Sequence, residues 1–521
     1  MKKKIPVIDL FAGPGGLAEG FSSILHEKQR VFDIKLSIEK DESAHKTLEL
    51  RSFCRQFPKD KLPEEYYAVL KETDLKKREE KKIQLFEKFD IEYAAAKKEA
   101  WLAELGNKNY PPSLVDQRIK EVLKGQKDWV LIGGPPCQAF SLVGRSRVGG
   151  VHEEDHRVFL YQEYLRIIAE HQPTIFVMEN VKGLLSASLN GEKIFSWILR
   201  DLRNPSSVFK NTANTKYKVY SLIKTDIIQD KDYLIKAEEY GIPQKRHRVI
   251  LLGIREDLNV IPKTLNKKEK VTLKSVIDKL PKIRSSLNRK FIDSEFIGGK
   301  KKRRYKNLHD DSRIWENYIN SFKKEIISWN GLSSYKNKKE VIASKFCKGS
   351  EFVPAINTIE RNHPLTRWYL DEKLNGIPNH QSRSHLLEDL KRYMFAAIFT
   401  LSEGRFPRMQ DYEKHNEDLL PDHKSATTGK FADRFRVQLP NEPATTVTSH
   451  ISKDGHYFIH YDTDQCRSLT VREAARIQTF PDNYLFCGSR TAQYHQVGNA
   501  VPPYLSKQIG DIVKEILLND E

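Results

Sequence analysis

Cys137 sits in the run Gly133-Gly134-Pro135-Pro136-Cys137-Gln138-Ala139-Phe140-Ser141. Two prolines fix φ and remove two amide donors, so the backbone ahead of the sulfur is stiff. The apolar run Trp129 to Ile132 just before it is short enough for a buried strand, which puts the thiol on a loop at a strand's end. A thiol held in this way is a candidate nucleophile. A buried cysteine behind a proline turn is the plainer reading, and partners elsewhere in the chain decide between the two. Glu179 follows a second strand-like run, Thr174 to Met178, and offers a carboxyl at a strand end. Gln244, Arg246 and Arg248 alternate ahead of a third, Val249 to Ile254, so on an extended backbone they share one face. Alternating arginines otherwise serve surface solubility.

These side chains need a frame to hold them. Ile5 to Leu10 reads as a buried strand, and Phe11-Ala12-Gly13-Pro14-Gly15-Gly16-Leu17 as a glycine-rich turn opening a helix through Phe21. Such a turn lets a ligand approach the backbone at the positive end of a helix dipole. It is not the dinucleotide fingerprint, because the last glycine of G-x-G-x-x-G falls on Ala18; a nicotinamide-dependent oxidoreductase is thereby disfavoured. A strand from Ile34 to Ile38 ends at Glu39, where α/β folds place the carboxylate that binds ribose hydroxyls. Val158 to Ala169 has helical spacing, Tyr217 to Ile223 is a further strand, and Tyr504 to Leu518 is an amphipathic helix.

At 521 residues the chain exceeds one compact core, so two domains are expected. Its 88 Lys and Arg against 70 Asp and Glu give a net charge of +18, which favours a polyanionic partner. The five cysteines are scattered without a C-x-x-C pair, which argues against a disulfide framework and a structural zinc site. No ligand spacing suggests any metal. No apolar stretch is long enough to span a bilayer, and a soluble, cytoplasmic protein without membrane contact is expected.

Residues 55–127 are Lys/Glu-rich with helical spacing and read as a charged helical insertion, a solvated scaffold rather than a DNA-contacting flap. From 256 to 464 the strand-helix alternation is lost, and Gly298 to Arg304 is strongly basic. Order returns at Arg467 to Pro481, where Thr470 and Glu473 have the spacing of a capping box.

The blocks Phe11 to Gly16, Pro135-Pro136-Cys137-Gln138, Glu179-Asn180-Val181, Gln244-x-Arg246-x-Arg248, Arg467 to Pro481 and Gln496 to Pro503, in this order, resemble those of the C5-cytosine DNA methyltransferases. The resemblance covers the chain to about 255 and again from 467, without circular permutation. It implies an α/β, Rossmann-like S-adenosylmethionine-dependent methyltransferase fold with a smaller, irregular target recognition domain. Residues 1–255 would form the catalytic domain with the 55–127 insertion, and 256–487 the recognition domain, its core-packing helix at 470–478. Residues 488–521 would return to the catalytic domain. The cofactor would meet Phe11, Ala12, Gly13, Gly15, Gly16, Leu17, Glu39, Lys40, Pro135, Asn499, Ala500 and Val501; DNA would meet Gln138, Ser141, Gln244 and Thr446. The family's Gly-Asp-Ile-like turn, whose acid meets the adenine, is not evident here; Asp74 and Asp128 are the available substitutes.

The implied chemistry makes Cys137 the nucleophile at cytosine C6, Glu179 the carboxyl at N3, and Arg248 with Arg246 the groups that hold the base carbonyl and a phosphate. The base must be flipped out of the duplex, because C5 is inaccessible within it. The rival readings are an RNA cytosine-5 methyltransferase, whose Cys-Phe-Thr signature is absent, and a silent cofactor-binding DNA-recognition protein. Bacterial relatives imply a restriction-modification role, for a monomer paired functionally with an endonuclease without a stable complex, in the cytoplasm and at the nucleoid.

Overall fold

The computed structural model describes residues 4–518 apart from 59–60, 137–155, 190, 210–211, 299 and 422–433. Cys137, Gln138 and Ser141 lie outside the described residues.

Eight strands build the main sheet: β1 (Ile5–Leu10), β2 (Phe32–Glu39), β3 (Ala100–Leu102), β4 (Val130–Gly133), β5 (Ile175–Val181), β6 (Tyr217–Tyr220), β7 (Leu234–Lys236) and β8 (His247–Arg255). The order is β6-β8-β5-β4-β1-β2-β3, with β7 on the same edge of β8 as β6. β1 to β5 run parallel, and β8 enters antiparallel beside β5. Strands covered on both faces read as continuous apolar runs, and β1, with all six residues buried, is one. On one face pack the helix Gly16–Ser22 and the C-terminal helix Pro503–Leu518, through Leu17, Phe21, Ile509 and Val513. The other face is covered by Pro112–Leu123 and His156–His171, through Val115, Ile119, Tyr164 and Ile168.

The charged insertion ends earlier than the sequence predicts. After the helices Glu42–Arg55, Glu64–Lys71, Leu75–Lys88 and Asp90–Glu99, β3 returns to the sheet and pairs Ser37 with Ala100 and Glu39 with Leu102. A three-residue strand is too short to show a period, and the charged outer face of Pro112–Leu123 looks like the insertion before it. Nor is the insertion merely solvated. Its buried Tyr66, Leu85 and Phe86 pack with Phe352, Leu374 and Leu485. Tyr67 Oη donates to Asp371 (2.8 Å), Tyr66 Oη to the Asn483 carbonyl (2.7 Å), and Arg78 pairs with Glu351 (2.8 Å).

A second core, built on the helices Ser312–Ile327 and Leu387–Glu403, gathers buried residues from Val271 to Phe486 and also takes in Tyr494, Val497 and Ala500 from beyond 487. The predicted capping box is present: Thr470 Oγ1 accepts from Glu473 N (3.1 Å), and Glu473 Oε2 accepts from Thr470 N (2.8 Å). It opens the buried helix Val471–Ile477. Arg467 makes a fully buried two-pronged pair with Glu473 (2.7 Å each), and Arg476 pairs with Asp482 while donating to the Thr358 and Val276 carbonyls. The helix therefore fastens distant loops of this region to itself.

Candidate active site

β1, β2, β4 and β5 are parallel neighbours, so their carboxyl ends, Leu10, Glu39, Gly133 and Val181, share one edge of the sheet. The strand order reverses direction between β1 and β4, and open α/β sheets hold ligands in the crevice at such a point.

On the β1 side the turn is built around Glu39. Its Oε2 accepts from Gly13 N (2.7 Å), and its Oε1 from Lys40 N (2.9 Å) and Asp41 N (2.7 Å). Burial pushes this carboxyl up, and the three amides oppose it. Phe11, Gly13 and Gly15 all have positive φ, and a Cβ added at Gly13 would meet nothing within 4 Å, so the turn opens outward at that point. Gly16 has another reason to be glycine: an added Cβ would fall 2.3 Å from the Val501 carbonyl oxygen. The first and last blocks are thus packed together by backbone contact at Gly16 and Val501, while Ala12 and Ala500 are buried nearby in sequence. Leu17 is in the core, so its amide is what it offers a ligand. Asn499 is exposed at the end of the helix Arg490–Asn499.

A further acid at this edge, absent from the sequence reading, is Glu104. It lies two residues past β3, accepts from Lys40 Nζ (2.8 Å) and Asn107 Nδ2 (2.8 Å), and so stands beside the Glu39 strand end. Asp74 is instead an N-cap, accepting from Lys76 and Lys77 amides, and Asp128 precedes β4 at the opposite edge of the sheet. Ala103-Glu104-Leu105 is the only signal the sequence offers, and the insertion hides it.

On the β5 side, Glu179 Oε1 pairs with Arg248 Nε (2.7 Å) across the antiparallel β5/β8 ladder. Arg248 also donates to the His247 carbonyl. The proline loop leaves β4 against this pair: a Cβ at Gly134 would lie 3.1 Å from Glu179 Oε2, and Asn180 Nδ2 donates to the Pro135 carbonyl (3.4 Å). The residue that follows Pro136 is Cys137.

Two expected contacts are corrected. Gln244 is fully buried; its amide donates to Gln478 Oε1 (2.6 Å) and the Ile477 carbonyl, and its Oε1 accepts from Val447 N (2.9 Å), so its side chain cannot reach DNA. Arg246 is 2% exposed and donates to the Val447 (2.9 Å) and Gly498 (3.3 Å) carbonyls. Burial, with Arg248 nearby, pulls its guanidinium well below its usual basicity. It is a tie between segments rather than an arm for the base. Alternation predicts one shared face, but Gln244 and Lys245 pair with Ala444 and Thr445 while β8 begins only at His247. Thr446 Oγ1 donates to the Lys245 carbonyl (2.5 Å), so it is held beside the same tie.

The sequence profile of the family described as C-5 cytosine-specific DNA methylase matches residues 86–515. The type II methyltransferase M.Bpa9945I of Bacillus paralicheniformis is 32% identical over 98% of this chain and 99% of its own. The DNA (cytosine-5-)-methyltransferase M.ApeKI of Aeropyrum pernix is 26% identical over 76% of this chain and 83% of its own. Among solved structures, a DNA modification methyltransferase encoded within an E. coli prophage aligns with a TM-score of 0.50 at 19% identity, over 99% of both chains, which shows the shared fold. With its mixed sheet, its glycine turn and this match over most of its length, the chain belongs to the C-5 cytosine-specific DNA methylases and is a DNA (cytosine-5-)-methyltransferase.

Proposed function

We propose that the protein methylates C5 of a flipped-out cytosine in duplex DNA, with S-adenosylmethionine as donor and Cys137 as the attacking group. The observation that carries this is the Glu179–Arg248 pair against the Gly134–Pro136 loop, one strand away from the Gly13–Glu39 turn. The open side of Gly13, the Glu39 carboxyl and Glu104 at three neighbouring strand ends fit a nucleoside-bearing cofactor. Glu39 and Lys40 would take its ribose, Glu104 its adenine, and the turn from Phe11 to Gly15, with Asn499 and Ala500, its remaining part. Bound S-adenosylmethionine supplies an electrophilic methyl group.

Cytosine C5 is a poor nucleophile, and addition of the Cys137 thiolate at C6 makes the ring electron-rich. Glu179 would then hold the proton at N3, while Arg248 orients Glu179 and meets the base carbonyl. After methyl transfer water takes the C5 proton, its bonding pair becomes the C5–C6 double bond, and the C6–Sγ bond breaks to release the Cys137 thiolate, which restores the ring. The 256–487 region would supply recognition and the contacts that offset base extrusion, which costs roughly a few kcal/mol. Relatives named type II methyltransferases support a restriction-modification role; a monomer acting beside an endonuclease is the form that this reading expects. Among the described residues, no helix is long and apolar enough to cross a membrane.

Incubation with cofactor and a 5-fluorocytosine duplex carrying the recognition site should trap a covalent adduct that Cys137→Ala abolishes without loss of cofactor binding. A wild-type protein that forms no adduct on such a duplex sinks the mechanism. Bisulfite sequencing of DNA from expressing cells reads base and context, and transfer to tRNA instead of duplex DNA would favour the RNA reading.

A further inference from the structure

Tyr484 belongs to the 256–487 region, yet its hydroxyl ends in the glycine turn. The side chain is fully buried, and its Oη donates to the Pro14 carbonyl. Burial, with Glu19 nearby, pushes this phenol up, so the hydroxyl keeps its proton and remains a donor. The rest of the residue is fixed as well. Its carbonyl accepts from Arg472 Nη2 (2.6 Å), on the helix that the capping box opens. Its ring packs against Phe480 at 4.8 Å, with the Arg51 guanidinium 4.9 Å from its centroid. Arg51 is held in turn by Glu19 (2.5 and 2.8 Å) and by Asn483 Oδ1 (3.2 Å).

The Pro14–Gly15 peptide is free to turn over unless something holds it. Its flanking torsions are the ψ of a proline and the φ of a glycine that stands at +91°, and glycine tolerates either sign of φ. In a trans peptide the C=O and N–H point opposite ways. Here the N–H, on Gly15, donates to the Ala12 carbonyl (2.9 Å), and the C=O, on Pro14, accepts from Tyr484. The plane is thereby pinned at both ends, at one of them by a residue 470 positions away. A Cβ on Gly15 would stand 3.1 Å from the same hydroxyl, so the fit is close. Gly15 is also the N-cap of the helix Gly16–Ser22, so this plane sets the direction in which the helix opens.

We propose that Tyr484 is a positioning residue for the S-adenosylmethionine site, its hydroxyl holding the Pro14–Gly15 peptide in the orientation that the cofactor meets. The proposal rests on that cofactor binding at the glycine turn, as set out above. Tyr484→Phe removes the hydroxyl alone. Tyr217→Phe is its control, since Tyr217 is also buried and donates to a single carbonyl, that of Pro173 (2.8 Å), at the far edge of the sheet. Calorimetry of the full-length protein should find the S-adenosylmethionine Kd raised about fivefold or more in Tyr484→Phe, and within about twofold of wild type in Tyr217→Phe. In methyl transfer by Tyr484→Phe, the KM for S-adenosylmethionine should rise by the same factor while kcat and the KM for DNA stay within about twofold, the mark of lost binding rather than lost fold. An unchanged Kd in Tyr484→Phe, or an equal rise in both variants, would overturn the assignment. A wild-type protein that binds no S-adenosylmethionine would instead overturn the reading on which it rests.

Discussion

Gly16→Ala isolates packing from ligand approach at the cofactor turn. Gly16 is the first residue of its helix and has no positive φ, so alanine suits its backbone and by propensity alone should gain about 0.5–1 kcal/mol. Against this, the new methyl group would sit 2.3 Å from the Val501 oxygen, where real Cβ atoms stay beyond 3.0 Å. The last block must retreat by roughly 0.7 Å, and overpacking of this kind costs about 1–3 kcal/mol. The net expectation is a loss of up to about 2.5 kcal/mol, centred near 1, read as a lower urea midpoint. Cofactor affinity should fall with it, because Ala500 and Asn499 move with Val501. Gly13→Ala is the contrast: its Cβ meets nothing, and its cost is the strain of φ +56°, about 1–2 kcal/mol. A Gly16→Ala protein as stable as wild type, with unchanged cofactor affinity, would refute the argument that the first and last blocks are held by this contact.

Other expectations concern buried charge and the missed acid. Neither carboxyl oxygen of Asp9 has a well-formed hydrogen bond among the described residues, and burial pushes its pKa up to about 8 despite the pull of Arg55. The folded chain then keeps a proton that the unfolded chain releases near its ordinary 3.8, so stability should fall as pH rises from about 4 to 8. Asp9→Asn should flatten that slope in urea midpoints taken at pH 5 and pH 9, and a slope equal to wild type would contradict it. Burial raises the Glu473 carboxyl, but Arg467 overrides it and holds the group well below the usual range. Glu473→Gln should cost about 3–5 kcal/mol in chemical denaturation, because it leaves Arg467 charged and buried. Glu104→Ala should raise the S-adenosylmethionine Kd by about tenfold or more in calorimetry, the scale of a charge-assisted hydrogen bond, and an unchanged Kd would remove Glu104 from the site. Glu179→Gln should lower the single-turnover rate more than it lowers DNA affinity, since its role belongs to the transition state.

The sheet's buried strands were legible because each is a short apolar run beside a turn signal, and the Thr470–Glu473 box because capping is written in adjacent residues. Glu39 and Glu179 were legible for the same local reason. What escaped depends on distant partners. Glu104 follows a three-residue strand that becomes a strand only by pairing with β2. Gln244 and Arg246 look like their neighbour Arg248 until Val447 and Gly498, some 200 residues and more away, cover them. The 256–464 region is organised by Arg467 and Arg476 reaching the Ile283 and Thr358 carbonyls, contacts that leave no periodic trace.

The inserted helices change how the two halves of the molecule can move. A hinge between the glycine-turn cleft and the 256–487 region would have to part Tyr67 from Asp371, Arg78 from Glu351 and Tyr66 from the Asn483 carbonyl, and open the apolar seam at Phe352 and Leu485. Such a strut favours a jaw of fixed gape. On the proposed mechanism, the distance between the cofactor cleft and the 256–487 region is then set by the protein before DNA arrives, and the nucleotide would supply the travel.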